Sequence, residues 1–388
     1  MRGCHRDLQT YPEAVDAVTR LPVVGMIGGG QLARMTHQAA ISFGQSLRVL
    51  ADSPADSAGV VAADVVVGAH TDFNALLNFG RGCDVVTFDH EHVDNDHVRA
   101  LADAGVAVYP GAEALAYAQN KLHMRQRLGA SGFPMPRWAP VSSIDDMAAF
   151  GLPCVLKTAS GGYDGKGVFL IESEEQAREL LDAGLELLAE ERVSLARELS
   201  VVVARSVSGQ MMTYPVVETV QRAGICTEVI AVSDSGNDRA RSMATSIAQH
   251  LGVVGVMAVE LFDTGDELLI NELAMRPHNS GHWTIEGART SQFEQHLRAV
   301  CDFPLGDTGM TAPAVAMANL LGGEDPDPDM TRRLGQVLAE DPGIRVHLYG
   351  KRTRPGRKIG HVTALGEDVD KLRRRTNRAA ALISNGDE

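Results

Sequence analysis

The sequence predicts an α/β protein that changes to α+β part-way along the chain. Residues 23 to 110 alternate strand-like apolar runs with helix-like stretches, the pattern of a parallel sheet flanked by helices. From about residue 120 the strands instead come in neighbouring pairs around glycine turns. At 388 residues the chain is too long for one core and should form two or three domains.

In the first region the strand candidates are VVGMI, SLRVLA, DVVVG, DVVTF and VAVYP, with a helix opening near Gln31. In the second, LPCVLKTA and GKGVFLIE read as antiparallel strands on either side of SGGYDGKG. ESEEQARELLDAGLELL (172–188) reads as a helix, and ELSVVVARS, QMMTYPVVETV and ICTEVIAV read as further strands. Residues 255–284 read as a hairpin with strands near 256–262 and 267–272, joined at DTGD, where Gly265 suits the turn. The acidic, proline-rich GGEDPDPDM (322–330) marks a surface connection to a small C-terminal piece. The expected boundaries are an N-terminal extension 1–22, a Rossmann-like domain 23–118, a central domain 119–310 and a C-terminal domain 311–388.

Composition narrows the function classes. A net charge of −14 argues against a general nucleic-acid surface but leaves room for a local basic pocket, with the cluster at 351–358 as a candidate. No apolar run reaches the roughly 18 residues of a membrane span. The five cysteines form no C-x-x-C pair, so neither a disulfide framework nor a zinc site is indicated. The first 21 residues lack the apolar stretch of a secretory signal, and a cytoplasmic protein is expected.

Two glycine-rich loops compete for a phosphate. GMIGGG follows a strand and opens a helix, and Asp52 lies where a dinucleotide fold places its ribose-binding acid. A nicotinamide, another phosphate-bearing ligand, and a tight turn without a ligand all fit it. SGGYDGKG (160–167) lacks the hydroxyl that follows the lysine of a P-loop, yet its backbone N–H groups suit phosphates, with Lys157 able to reach an oxygen. AEERV (189–193) offers backbone groups to an adenine edge and Glu198 suits ribose hydroxyls, although each also reads as a solvated surface residue.

Glu260 and Glu272 sit within apolar runs, where a carboxylate is costly unless paired. With Asn271 they make an oxygen-only set suited to Mg²⁺ bound together with phosphates; the alternative is a pair salt-bridged to arginines such as Arg276. Lying 12 residues apart, they should share a sheet face only if the hairpin loop holds an odd number of residues.

YDGKG, RELSVVVAR, NELAMRPHNSGHWT and YGKRTRPGRKIGHV together resemble the ATP-grasp ligases, specifically the N5-carboxyaminoimidazole ribonucleotide synthase family of purine biosynthesis. The resemblance covers about residues 23 to 370. It implies a pre-ATP-grasp Rossmann-like domain, a central ATP-grasp fold, ATP and Mg²⁺ as cofactors, and 5-aminoimidazole ribonucleotide and bicarbonate as substrates. It also implies a homodimer. An ATP-grasp ligase or formyltransferase for a different ribonucleotide is the near alternative; a dehydrogenase and a non-enzymatic nucleotide-binding protein are more distant ones.

Carried over by position, the resemblance assigns ATP to Lys121, Lys157, Gly162, Tyr163, Asp164, Gly165, Lys166, Gly167, Val168, Glu190, Glu191, Arg192, Val193, Glu198, Gln221, Asn271 and Glu272. Glu260 and Glu272 become the metal ligands. Gly30, Gln31, Leu32, Glu91, Asn279, Ser280, Arg357 and Lys358 would meet the ribonucleotide, while Arg276, His278 and Lys351 would grip the reacting anions. Lys121 and Gln221 depart from the commoner arginine and histidine, and lysine gives up the bidentate fork.

Overall fold

The computed structural model describes residues 16–162, 165–233 and 236–386. The N-terminal extension therefore lies mostly outside the described residues, as do Tyr163 and Asp164. The chain divides into two compact units, Met1–Tyr109 and Pro110–Glu388.

In the first unit, β1 (Val24–Ile27), β2 (Leu47–Ala51), β3 (Asp64–Val67) and β4 (Val85–Phe88) form a parallel sheet in the order β3-β2-β1-β4. β1 and β4 are buried along their whole length, which is why they read as unbroken apolar runs. VAVYP contributes less than expected. It makes a single parallel bridge, Val86 to Val108, just after Gly105 at a φ of 87°.

Two sheets make up the second unit. β5 (Trp138–Val141), β6 (Cys154–Thr158), β7 (Val168–Ile171) and β8 (Leu187–Glu191) form the smaller, ordered β5-β8-β6-β7. The helix expected over 172–188 is shorter, Glu174–Asp182, because Gly184 turns at a φ of 70° and Leu187 already pairs in β8. A Ser173–Gln176 capping box fixes its start.

The larger sheet holds β9 (Arg197–Arg205), β10 (Met211–Thr213), β11 (Val217–Arg222), β12 (Ile225–Val232), β13 (Gly255–Asp263), β14 (Leu268–Ala274), β15 (Ala314–Leu321), β16 (Arg345–Leu348) and β17 (Lys358–Gly366). Its path is β14-β13-β9-β11-β12-β15-β17-β16, with β10 beside β9. The strands after residue 311 thus continue the sheet that begins at the hairpin. One face packs Trp283, Tyr214 and the helix Gln292–Val300; on the other, Ala316, Ala318 and Val362 meet the helices Met330–Glu340 and Val369–Asn385.

Candidate active site

Antiparallel partners share a sheet face, and the register collects the acidic residues. Ser200 of β9 lies opposite Glu260 of β13, and Glu260 lies opposite Glu272 of β14. Glu198, two residues before Ser200, looks out on the same face. The route differs from the expected odd loop. Asp263 pairs with Leu268, leaving four residues between them, an even number that would set Glu260 against Asn271. A β-bulge shifts the ladder, so that Leu261 faces Ile270 while Glu260 faces Glu272, with Asn271 as the extra residue.

Lys121 and His278 contact these carboxylates, and Lys157 lies close by. Lys121, first residue of the helix Lys121–Ala130, places Nζ 3.1 Å from Glu272 Oε2. His278 Nε2 lies 3.5 Å from Glu260 Oε1. Lys157 donates from Nζ to Asn271 Oδ1 at 3.0 Å and is 2.7 Å from Glu190 Oε2. The Arg276 guanidinium donates to its neighbour Pro277 O at 3.2 Å.

Burial pushes the Glu260 carboxyl up to about 8, reinforced by Glu272 and Glu198 and opposed by Lys358 and Lys121. Burial raises Glu272 as well, but Lys121 and then Lys157 outweigh it and hold it at about 2. Its side chain nonetheless stays 41% exposed, so solvent softens these pulls. Burial also lifts Glu198 and draws Lys157 below the usual lysine range.

Glu190 was read for its backbone, but its side chain has a separate task. It is buried and accepts from Arg125 Nε at 2.7 Å while pairing with Lys157. Burial would raise it, but Lys157 and Arg125 hold it ionised. Sequence reasoning passed over Arg125, which lies one helical turn after Lys121 in QNKLHMR and is fully buried. Glu191 Oε1 accepts from Arg137 N at 2.8 Å; Arg192 is exposed and Val193 half-buried beyond the strand end. Gln221 sits at an irregularity in β11.

The glycine loop between β6 and β7 needs its glycines. Gly165 and Gly167 adopt φ of 76° and 74°, and a Cβ on Gly167 would lie 2.3 Å from Thr158 Oγ1. Gly165 backs onto the Ala223–Gly224 hairpin turn. Gly162 approaches the Lys166 carbonyl, and Lys166 and Val168 are exposed.

HNSGHW forms a short 3₁₀ turn, Asn279–Gly281. The Ser280 and Ser200 hydroxyls are 2.6 Å apart, and Ser280 Oγ lies 2.9 Å from His278 Nδ1. The buried Asn279 Nδ2 has no acceptor among the described residues. His282 turns away to Gln292 and a buried group also missed in the sequence: its ring lies 5.2 Å from His361, which stacks on His347 and takes a 2.7 Å contact from the Tyr349 hydroxyl. This group stands at the base of the basic loop, where Tyr349 N donates to Ile359 O. Lys351 lies 5.9 Å over the Tyr349 ring, and Arg357 and Lys358 are half-exposed.

In the first unit Asp89 occupies the start of the helix Gln31–Phe43, accepting from Gly30 N at 2.7 Å and Ala33 N at 2.8 Å. A Cβ at Gly30 would collide with that carboxylate. Leu32 is buried, Gln31 half-buried, and Glu91 half-buried in the turn after β4.

Three family models match in sequence: a ribonucleotide synthetase preATP-grasp domain over 21–119, an ATP-grasp domain over 126–293 and a phosphoribosylaminoimidazole carboxylase C-terminal domain over 315–375. N5-carboxyaminoimidazole ribonucleotide synthase of Mycobacterium bovis is 53% identical over 380 residues, covering 94% of this chain and 88% of the relative. The chain belongs to the N5-carboxyaminoimidazole ribonucleotide synthase family. The Thermus thermophilus synthetase superimposes with a TM-score of 0.83 at 39% identity, covering 93% of this chain and 99% of that one. The Aspergillus clavatus synthase, solved with ADP and 5-aminoimidazole ribonucleotide, gives 0.84 at 31% identity over 94% and 98%. In this synthase-family chain the predicted Rossmann-like sheet, ATP-grasp domain and small C-terminal domain are all present, and the nicotinamide reading of GMIGGG falls away.

Proposed function

We infer that this chain is an ATP-dependent carboxylating ligase. It joins bicarbonate carbon to the exocyclic amine of 5-aminoimidazole ribonucleotide, yielding N5-carboxyaminoimidazole ribonucleotide, ADP and phosphate for purine biosynthesis. The observation that supports this best is the crowding of Glu198, Glu260 and Glu272 on one sheet face, with Lys121 and Lys157 beside them, in a chain of this family.

The donor set fits Mg²⁺. Glu260 and Glu272, opposite one another, would hold the ion as an oxygen-only pair, which suits Mg²⁺ bound together with phosphates. A buried carboxyl raised to about 8 beside two others is a site that a cation would relieve. When bound, the ion supplies charge neutralisation along the phosphates.

The protein's own groups position and shield. Lys157, oriented by Glu190 and Asn271, presents its ammonium to the nucleotide phosphates, and the loop from Gly162 to Val168 covers them with backbone N–H groups. Glu190 to Val193 edge the adenine, and Glu198 holds the ribose. Bicarbonate oxygen attacks the terminal phosphorus and ADP leaves, giving carboxyphosphate; the amine then attacks its carbonyl carbon, or the CO₂ it releases, with loss of phosphate and a proton. Arg276, His278 and Lys351 hold the anions. In the second unit, Asn279, Ser280, Arg357 and Lys358 hold the ribonucleotide. Because Asp89 already takes two N–H groups at the first helix start, the basic segment 351–358 is the stronger phosphate binder.

The same reading makes the protein a cytoplasmic homodimer acting on small molecules. The net charge of −14 supports the exclusion of nucleic acid, and no helix among the described residues is long and apolar enough to cross a membrane. The test is ADP release that requires both bicarbonate and 5-aminoimidazole ribonucleotide. Release that ignores either substrate would overturn the assignment, and sedimentation would check the dimer.

A further inference from the structure

Arg125 sits where the acidic face is built, yet it points at backbone. Its helix bonds to three successive residues of β14: Lys121 to the Glu272 carboxylate, and Arg125 through Nη1 to Ile270 O and Nη2 to Asn271 O, both at 2.7 Å. β14 is an edge strand, so among the described residues its outward groups have no further strand to pair with. Ile270 faces outward with both its groups, donating N–H to Pro134 O at 2.9 Å and accepting from Arg125.

In an unbroken antiparallel strand the next residue would turn its carbonyl inward to β13. At Asn271 the carbonyl instead faces Arg125, because the bulge lies there. One guanidinium can take two consecutive carbonyls only in the bulged register. Without the bulge, Glu260 would face Asn271, and Glu272 would swing to the opposite side of the sheet.

We propose that Arg125 is a positioning residue that holds the Asn271 bulge and thereby keeps Glu260 and Glu272 on one face, setting the protein's affinity for a divalent cation. Its side-chain bonds go to the backbone of β14 and to Glu190, and it acts through that backbone. Its third bond, to Glu190, ties the same brace to Lys157. This rests on the ligase reading above for the cation's role.

The experiment measures Mn²⁺ binding by electron paramagnetic resonance with ADP present and no ribonucleotide, alongside ribonucleotide binding by calorimetry. Arg125→Lys keeps a positive charge beside Glu190, but one ammonium cannot span two carbonyls. The expected result is Mn²⁺ affinity weakened tenfold or more, ribonucleotide affinity within twofold of wild type, and faster amide exchange in 255–274 but not in 314–366. Unchanged Mn²⁺ affinity overturns the proposal, as does equal weakening of both ligands, which would mean general loosening. Arg125→Met should be at least as impaired; if it fails to fold, the lysine variant still decides. Wild-type protein that binds no Mn²⁺ with ADP would remove the ligase reading and this proposal with it, an outcome distinct from a variant that matches wild type.

Discussion

Glu260 and Glu272 stand directly opposite one another on β13 and β14, and Asn271 is the extra residue that brings them there. Two carboxylates so placed repel unless a cation or a proton intervenes. Glu272→Gln should therefore lower turnover by more than about a hundredfold while far-ultraviolet circular dichroism stays native. Near-normal activity with normal magnesium dependence would remove Glu272 from the metal site.

The proton on Glu260 has a stability signature. With a folded value of about 8 against an ordinary 4.5, the cation-free protein keeps a proton that the unfolded chain has released between those pH values. Stability without cation should thus fall as pH rises from 5 through 8, and Glu260→Gln should flatten the decline. Glu272, held low, contributes the opposite trend only as pH falls below 4.5, so the two windows separate. Magnesium affinity should weaken by up to about tenfold per pH unit below 8, as the proton competes. Thermal melts and titrations across this range check both.

Glu190 is the sole negative charge between Lys157 and Arg125 in their hydrogen-bonded trio. Glu190→Gln would leave two buried cations facing each other, and the expected cost is about 3–5 kcal/mol of stability in urea unfolding. Lys157, already pulled down by burial, would drop further, and the KM for ATP should rise as pH increases.

Gly167 combines a left-handed backbone with a close approach to Thr158. Gly167→Ala should raise the KM for ATP by roughly tenfold without altering that for the ribonucleotide. Restoration by a second change, Thr158→Ala, would show how much of the defect is collision and how much is backbone strain.

Arg357 donates to Arg352 O at 3.3 Å, and its carbonyl accepts from Gly322 N, so its loop is anchored at the backbone. Arg357→Ala should raise the KM for 5-aminoimidazole ribonucleotide about tenfold and leave ATP unaffected. The reverse pattern would exchange the two ends of the site.

Much of this arrangement was legible in the residues. Alternating strands and helices announced the parallel sheet, and Glu260 and Glu272 were legible because carboxylates interrupt apolar runs. What stayed hidden depends on long-range partners. Arg125 sits in KLHMRQR, which looks like a solvated helix face until Glu190, 65 residues away, folds onto it. Hairpin parity was misjudged because the odd residue lies inside β14, and nothing in DTGD records the bulge at Asn271. His361 and Tyr349 were missed because single aromatic and histidine residues in strands read as ordinary packing.

The larger sheet also sets a timetable for synthesis. β12 ends at residue 232 and its outer neighbour, β15, begins at 314, itself covered by β17 ending at 366. A ribosome extends the chain N-terminus first. The β13–β14 hairpin therefore emerges while the β12 edge is still open, within an interval of more than 80 residues between the end of β12 and the start of β15. During that interval the nascent chain exposes an edge with the apolar run VIAV, a template for wrong pairing. Truncation after residue 310 would make this exposure permanent, and such a fragment should aggregate rather than persist as a smaller enzyme.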